Sequence, residues 1–162
     1  MIHPSHIQPD VELRDYLTGQ ITVGEDSSPV KVYSDWERPT NQLPTDFVVI
    51  FINGDIEGVG MDTNYARGSL MVSLYCKLND DGSVKKNRTK KLLSQIDEIF
   101  IERIKDPETN QETEHYKNLV TDNYVYKYDA PRFITPTTPN QTSGYSVTSL
   151  NLRWATTNNF NN

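Results

Sequence analysis

The stretch from Phe47 to Ile104 constrains the fold more than any other part of the chain, because its apolar pattern changes period twice. Phe47-Val-Val-Ile-Phe-Ile52 is continuous and rich in β-branched residues, the signature of a strand covered on both faces. This run is expected to be the central strand. Leu70, Val72, Leu74, Cys76 and Leu78 then alternate with Met71, Ser73, Tyr75 and Lys77, the period of a strand with one buried face. Asn79-Asp-Asp-Gly82 ends it. From about 86 to 105 the period becomes helical, with Leu92, Leu93, Ile96, Ile99, Phe100 and Ile104 three and four residues apart, and Pro107 stops the helix. Two strands followed by an amphipathic helix therefore form the centre of the domain.

The flanks supply further elements. Pro9 opens a helix over about 9 to 18, with Asp10 and Glu12 in the first turn favourable to the helix dipole and Gly19 available to end it in a left-handed conformation. Val30 to Trp36 alternates as a half-buried strand, and Pro39 and Pro44 follow as breakers. Tyr124-Val-Tyr-Lys-Tyr128 puts three tyrosines on one strand face, better suited to sheet packing than to base stacking. A Pro/Thr-rich segment, 130 to 144, precedes a last strand around Tyr145 to Trp154. The alternation there changes phase between Val147 and Leu150, which predicts a bulge or an edge position. Thr156 to Asn162 reads as a polar, mobile tail. Asn53-Gly54 opens a connection of about 15 residues to the strand at Leu70, and a loop that long is functional or unstructured. The fold class expected is α+β: one domain over 1 to 162, a mainly antiparallel or mixed sheet packed against an N-terminal helix and a long central helix, with extended loops at 53 to 69 and 130 to 144.

Composition sets the limits. At 162 residues with 35% apolar residues and a mean hydropathy of -0.65, there is material for one core and little for a second. Cys76, the single cysteine, has no internal partner for a disulfide and sits in an apolar strand pattern, where cysteine acts as a small buried hydrophobe. The N-terminus MIHPSHIQPD has no basic start followed by an apolar stretch, and no apolar run approaches the roughly 20 residues of a membrane span. No secretion and no membrane partner are expected. Asn87-Arg-Thr and Asn140-Gln-Thr match the glycosylation pattern without that context to act on it.

The net charge of -6 is unevenly distributed: residues 1 to 80 hold 12 acidic and 5 basic side chains, and only residues 81 to 105 have a basic excess, 7 against 4. An acidic body argues against gripping phosphate backbones, an affinity that comes from Lys and Arg neutralising phosphates. The basic run Lys85, Lys86, Arg88, Lys90 and Lys91 lacks interleaved aromatics. It also places positive charge where a helix dipole favours negative charge, a conflict that water or an acidic neighbour must resolve.

No residue set makes a recognisable catalytic or metal site. His3 and His6 flank Pro4 with no further ligand beside them, and His115 stands in a polar stretch without a nucleophile pattern. Asp55, Glu57 and Asp62 do not follow the alternate ligand spacing of a calcium loop, and the glycines at 54, 58 and 60 do not lead into a phosphate-binding helix. Neither an enzyme nor a cofactor is expected. Asp55, Glu57 and Asp62 on the acidic side, and Lys85, Lys86, Arg88, Lys90 and Lys91 on the basic side, are candidates for contacts between identical copies, since the two signs occupy separate places.

The order of elements, carried by the helix around Val11 to Leu17, Val30-Lys-Val-Tyr33, Asp46-Phe-Val-Val-Ile-Phe-Ile-Asn-Gly54, the strand Leu70 to Leu78 and the helix Arg88 to Ile104, resembles the small tail terminators of siphophages, lambda-like ones included. The similarity spans residues 9 to 128 and is one of order and texture. It implies a structural virion protein assembled in the host cytoplasm: a homo-oligomeric ring, a hexamer, that caps the tail tube, ends its polymerisation and contacts the tail-tube protein and a head-completion or connector protein. DNA would pass through without being read. Competing expectations are a head-completion, connector or tube protein of the same assembly and, from other classes, a small DNA-binding module or a hydrolase or nuclease with a dispersed carboxylate site.

Overall fold

The computed structural model describes residues 7–23, 28–34, 37, 43–58, 65–129, 137–140 and 143–157. Helix α1 (Pro9–Leu17) is followed by a two-stranded pair, β1 (Thr22–Val23) and β2 (Ser28–Pro29), then β3 (Lys31–Ser34), β4 (Asp46–Gly58) and β5 (Ala66–Lys77). Helix α2 (Lys86–Phe100) leads into β6 (Ile101–Lys105) and β7 (Glu112–Tyr116), and the chain ends with β8 (Leu119–Val120), β9 (Tyr124–Tyr128), β10 (Thr138–Asn140) and β11 (Tyr145–Thr156). The architecture is the expected α+β domain. Its seven-stranded mixed sheet has the order β3-β4-β5-β11-β9-β8, with β10 also on β11; β3 and β4 run parallel, and every other neighbouring pair is antiparallel.

Strand alternation builds the core. Val48, Ile50, Leu70, Val72, Leu74, Cys76, Leu150, Leu152 and Trp154 share one sheet face and bury against Leu13 and Leu17 of α1 and Leu92, Ile96 and Phe100 of α2. The sheet curls so far that α1 packs on β3 and β4 while also reaching β9. There the Tyr126 hydroxyl donates to the Pro9 carbonyl (2.7 Å), and the Gln8 amide donates to the Tyr124 hydroxyl (2.9 Å). The three tyrosines of β9 are thus packing residues: Tyr124, Tyr126 and Tyr128 are all buried, and the Tyr128 hydroxyl donates to Asp97 (2.6 Å). On the opposite sheet face Phe47 stacks on Tyr75 at 4.7 Å and meets Tyr33 and Tyr145 edge-on. The Phe47 run is therefore covered on both faces, as its composition requires.

Several expectations need correction. The Phe47 strand is not central: β4 lies next to β3 at the end of the sheet, and β5 and β11 hold the inner positions. The segment 53 to 69 is not an open loop, because β4 continues to Gly58 and β5 begins at Ala66, with a register irregularity between Asn53 and Glu57. Gly54, at φ +83°, suits that irregularity, whereas Gly68 serves another purpose. Trp154 lies across it, and a β-carbon there would come within 3.0–3.1 Å of the indole.

The central helix stops at Phe100, five residues early. Ile101-Glu-Arg-Ile-Lys105 satisfies helical spacing at 101 and 104, but Ile104 is exposed and the backbone pairs with Glu112–Tyr116 instead. The turn is fixed by Asp106, whose carboxylate accepts from the Glu108 and Thr109 amides, and by Asn110 at φ +61°. The last strand has neither a bulge nor an edge position, since β11 keeps unbroken register with β5 from Tyr145 to Ala155. Its apparent phase change arises because Ser146 and Thr148, both buried, occupy the core face; Ser146 donates to the Cys76 carbonyl (3.3 Å).

Smaller corrections complete the comparison. Thr156 belongs to β11 and is buried, hydrogen-bonded to Ala66, rather than starting a tail. Thr138–Asn140, within the Pro/Thr-rich segment, is a strand. The N-terminal helix ends at Leu17 with Gly19 at φ +83°, as expected. His3, His6, Trp36, Asp62 and residues 158–162 lie outside the described residues.

Candidate functional site

The basic entrance of α2 has an unusual electrostatic makeup. Lys85 occupies the N-cap position without a side-chain cap, and no acidic residue stands in the first turn. The positive end of the helix dipole and a cluster of lysines therefore coincide, with the Lys86 amide donating to the Val84 carbonyl at 2.9 Å. Of the two resolutions open to that conflict, water or an acidic neighbour, the structure supplies an acidic neighbour, Asp46, the first residue of β4, whose buried carboxylate forms an ion pair with Arg88. Arg88 thereby serves the fold and ties the start of the helix to the start of β4.

Beneath this pair, Cys76 is buried and its thiol is pushed up to about 12, chiefly by burial, with Asp46 adding to the rise and Thr89 and Arg88 opposing it. A thiol so strongly protonated is packing material, not a nucleophile. Lys86, Lys90 and Lys91 remain exposed, and the first two line a cavity of about 240 Å³ together with Val84, Thr89, Leu93 and Thr137. The entrance thus combines ammonium groups with an apolar floor, Val84 and Leu93.

The acidic candidates sit elsewhere. Asp55 and Glu57 are exposed on the outer part of β4, and Glu57 is bound to Arg67 of β5 at 2.7 Å. At 3.3 Å per strand residue, Asp55 lies about 30 Å along β4 from Asp46 and its Arg88 partner. The structure therefore does not bring Asp55 and Glu57 together with the lysine cluster; Asp62 lies outside the described residues. Beside Glu57 a second cavity, about 560 Å³, is lined by Arg67, Lys127 and Arg153 together with Glu57, Asp129 and the Trp154 indole. Its charges are largely matched in place, with Arg153 on Asp129 at 2.5 Å.

One feature, the β6–β7 arm, differs from the helix expected over its first strand. Every residue from Glu102 to Asn118 is exposed, and among the described residues β6 and β7 pair only with each other. At its outer end Lys105 is outnumbered by Asp106, Glu108, Glu112 and Glu114. His115 stands on this arm opposite Glu102. The alternating Ile101-Glu-Arg-Ile-Lys105 and Glu112-Thr-Glu-His-Tyr116 around a Pro-containing turn were the signal, masked by an apolar spacing that also suits a helix.

No protein-family model matches the chain, and no curated protein matches it. A search of solved structures finds a chain, known only by a sequence label that describes no activity, with a TM-score of 0.53, 10% identity, and 97% of each chain covered. At that identity the likeness concerns the fold alone, over essentially its whole length.

Proposed function

We propose that this protein is a structural virion component, a siphophage tail terminator, whose copies join head to tail in a closed ring that caps the tail tube, ends its growth and meets the head-completion protein. The observation that carries the self-association is the separation of exposed charge. The exposed lysines stand at the N-terminal end of α2, the acidic β6–β7 arm leaves from its C-terminal end, and Asp55 lies about 30 Å along β4 from Asp46 at 3.3 Å per residue. Complementary patches that cannot meet inside one copy can meet between copies, and a contact of this heterologous kind closes into a ring when its rotation permits. The β6–β7 arm supports the same reading, because an isolated two-stranded hairpin is marginal in water and gains from a partner surface. The assignment to the tail terminators rests on the order and texture of the elements over residues 9 to 128. Head-completion and tube proteins are the neighbouring alternatives, and a tube protein would extend into tubes where a terminator stops at a ring.

The test is charge reversal at two exposed lysines. Lys90→Glu/Lys91→Glu should raise the concentration needed for assembly by about tenfold or more, since each interface loses two favourable contacts and gains two repulsive ones worth ~1 kcal/mol or less apiece. The monomer should not suffer, because acidic groups early in a helix suit its dipole. Sedimentation measures the first effect and urea unfolding the second. Unchanged assembly would remove the lysine entrance from the interface.

A further inference from the structure

We infer that the acidic end of the β6–β7 arm of one copy docks on the lysine entrance of α2 in the next copy. This deepens the ring reading and rests on it, by naming which acidic element faces the lysines. The β4–β5 end is the weaker candidate, since Glu57 already holds Arg67 and leaves little unmatched charge there. On the arm Arg103 likewise holds Glu114, at 3.4 Å, but Glu108 and Glu112 stand beside a single Lys105 near its end, and its strands are exposed beyond Ile101.

Position favours the same pairing. The arm springs directly from the C-terminal end of α2, with β6 starting at Ile101, while the lysines sit at the N-terminal end of that helix. A helix of 15 residues separates them by roughly 22 Å at 1.5 Å per residue. One copy thus offers donor and receiver at opposite ends of a single rigid rod, the arrangement a head-to-tail link requires. The surfaces also match in chemistry: exposed Ile104 on the arm suits the Val84 and Leu93 floor of the 240 Å³ cavity, and the arm's carboxylates suit Lys86 and Lys90, which line it, and the exposed Lys91 that follows them on the helix.

The experiment mixes two variants of the full chain, each purified and checked by circular dichroism. The arm variant is Glu108→Lys/Glu112→Lys/Glu114→Lys, and the helix variant is Lys90→Glu/Lys91→Glu. Light scattering on a sizing column should give the wild-type protein a multi-copy mass and each variant alone the mass of a single copy. An equimolar mixture should regain the multi-copy mass, because the positive arm of one variant then meets the negative helix start of the other, and the reverse pair is of wild-type sign. If either variant alone keeps the wild-type mass, or the mixture stays at single-copy mass, the arm contact is wrong and the ring reading stands. Recovery when Asp55→Lys/Glu57→Lys replaces the arm variant, with none from the arm variant, would assign the contact to the β4–β5 end and overturn the arm. A wild-type chain that stays a single copy at every concentration would overturn both.

Discussion

The two long hairpins of this protein use similar backbone geometry for opposite ends. In β4–β5 the inner half is covered on both faces: Val48, Ile50, Val72 and Leu74 face the helices, and Phe47 and Tyr75 stack on the other side. In β6–β7 only Ile101 is buried, and the rest of both strands faces solvent. The first hairpin is therefore a source of folding energy, since burial of apolar side chains dominates stability. The second adds little to the fold and presents surface. The division separates the parts of the chain where substitution should unfold the subunit from the part where it should only alter association.

The largest expected effect lies where the first hairpin meets α2. Arg88→Met leaves the buried Asp46 carboxylate without its ion-pair partner, and a loss of about 3 kcal/mol of stability should appear in urea unfolding. Adding Asp46→Asn to the same chain should recover part of it. No recovery would mean that Arg88 acts through packing instead of charge. Next in size is Gly68→Ala, which puts a methyl group within 3.0–3.1 Å of the Trp154 indole and should cost about 1–3 kcal/mol, with a change in tryptophan fluorescence. A neutral outcome would show that the outer part of the hairpin yields easily and is closer in character to the arm. Smallest is Glu108→Gln/Glu112→Gln on the arm: the unfolding free energy of the single subunit should move by less than ~0.5 kcal/mol, while assembly measured by sedimentation weakens. A large loss of subunit stability would break the comparison outright.

The inner halves of the first hairpin's strands were legible in the sequence for two reasons. Leu70 to Leu78 keeps one alternating period over a long run, and the Phe47 run is too short for a helix of ordinary length and rich in β-branched residues. The tyrosines at 124, 126 and 128 were legible for the same reason. The arm was not, because Ile101 and Ile104 fit a helix as well as a strand and five residues cannot decide between them. Ser146 and Thr148 misled in a different way: polar residues on a core face mimic a phase change, and only their partners across the sheet reveal the register. Glycine carried two meanings that composition cannot separate, a left-handed backbone at Gly54 and a seat for an aromatic ring at Gly68.

Of the candidate interface residues, the sequence located the lysine cluster and its conflict with the helix dipole, and it left water or an acidic neighbour to resolve it. It could not tell that Arg88 would take Asp46 and so leave the proposed contact to the lysines. Nor could it tell that Glu57 would take Arg67. The first depends on how α2 packs against the start of β4, 42 positions away in sequence, and the second on strand register between residues 10 apart.

The central claim is that copies of this chain close head to tail into a ring. Negative-stain electron microscopy of the purified protein tests it most directly. Closed rings of one size with a central hole are the predicted result, and a population that remains single subunits at high concentration, or that grows into open-ended tubes, would contradict it.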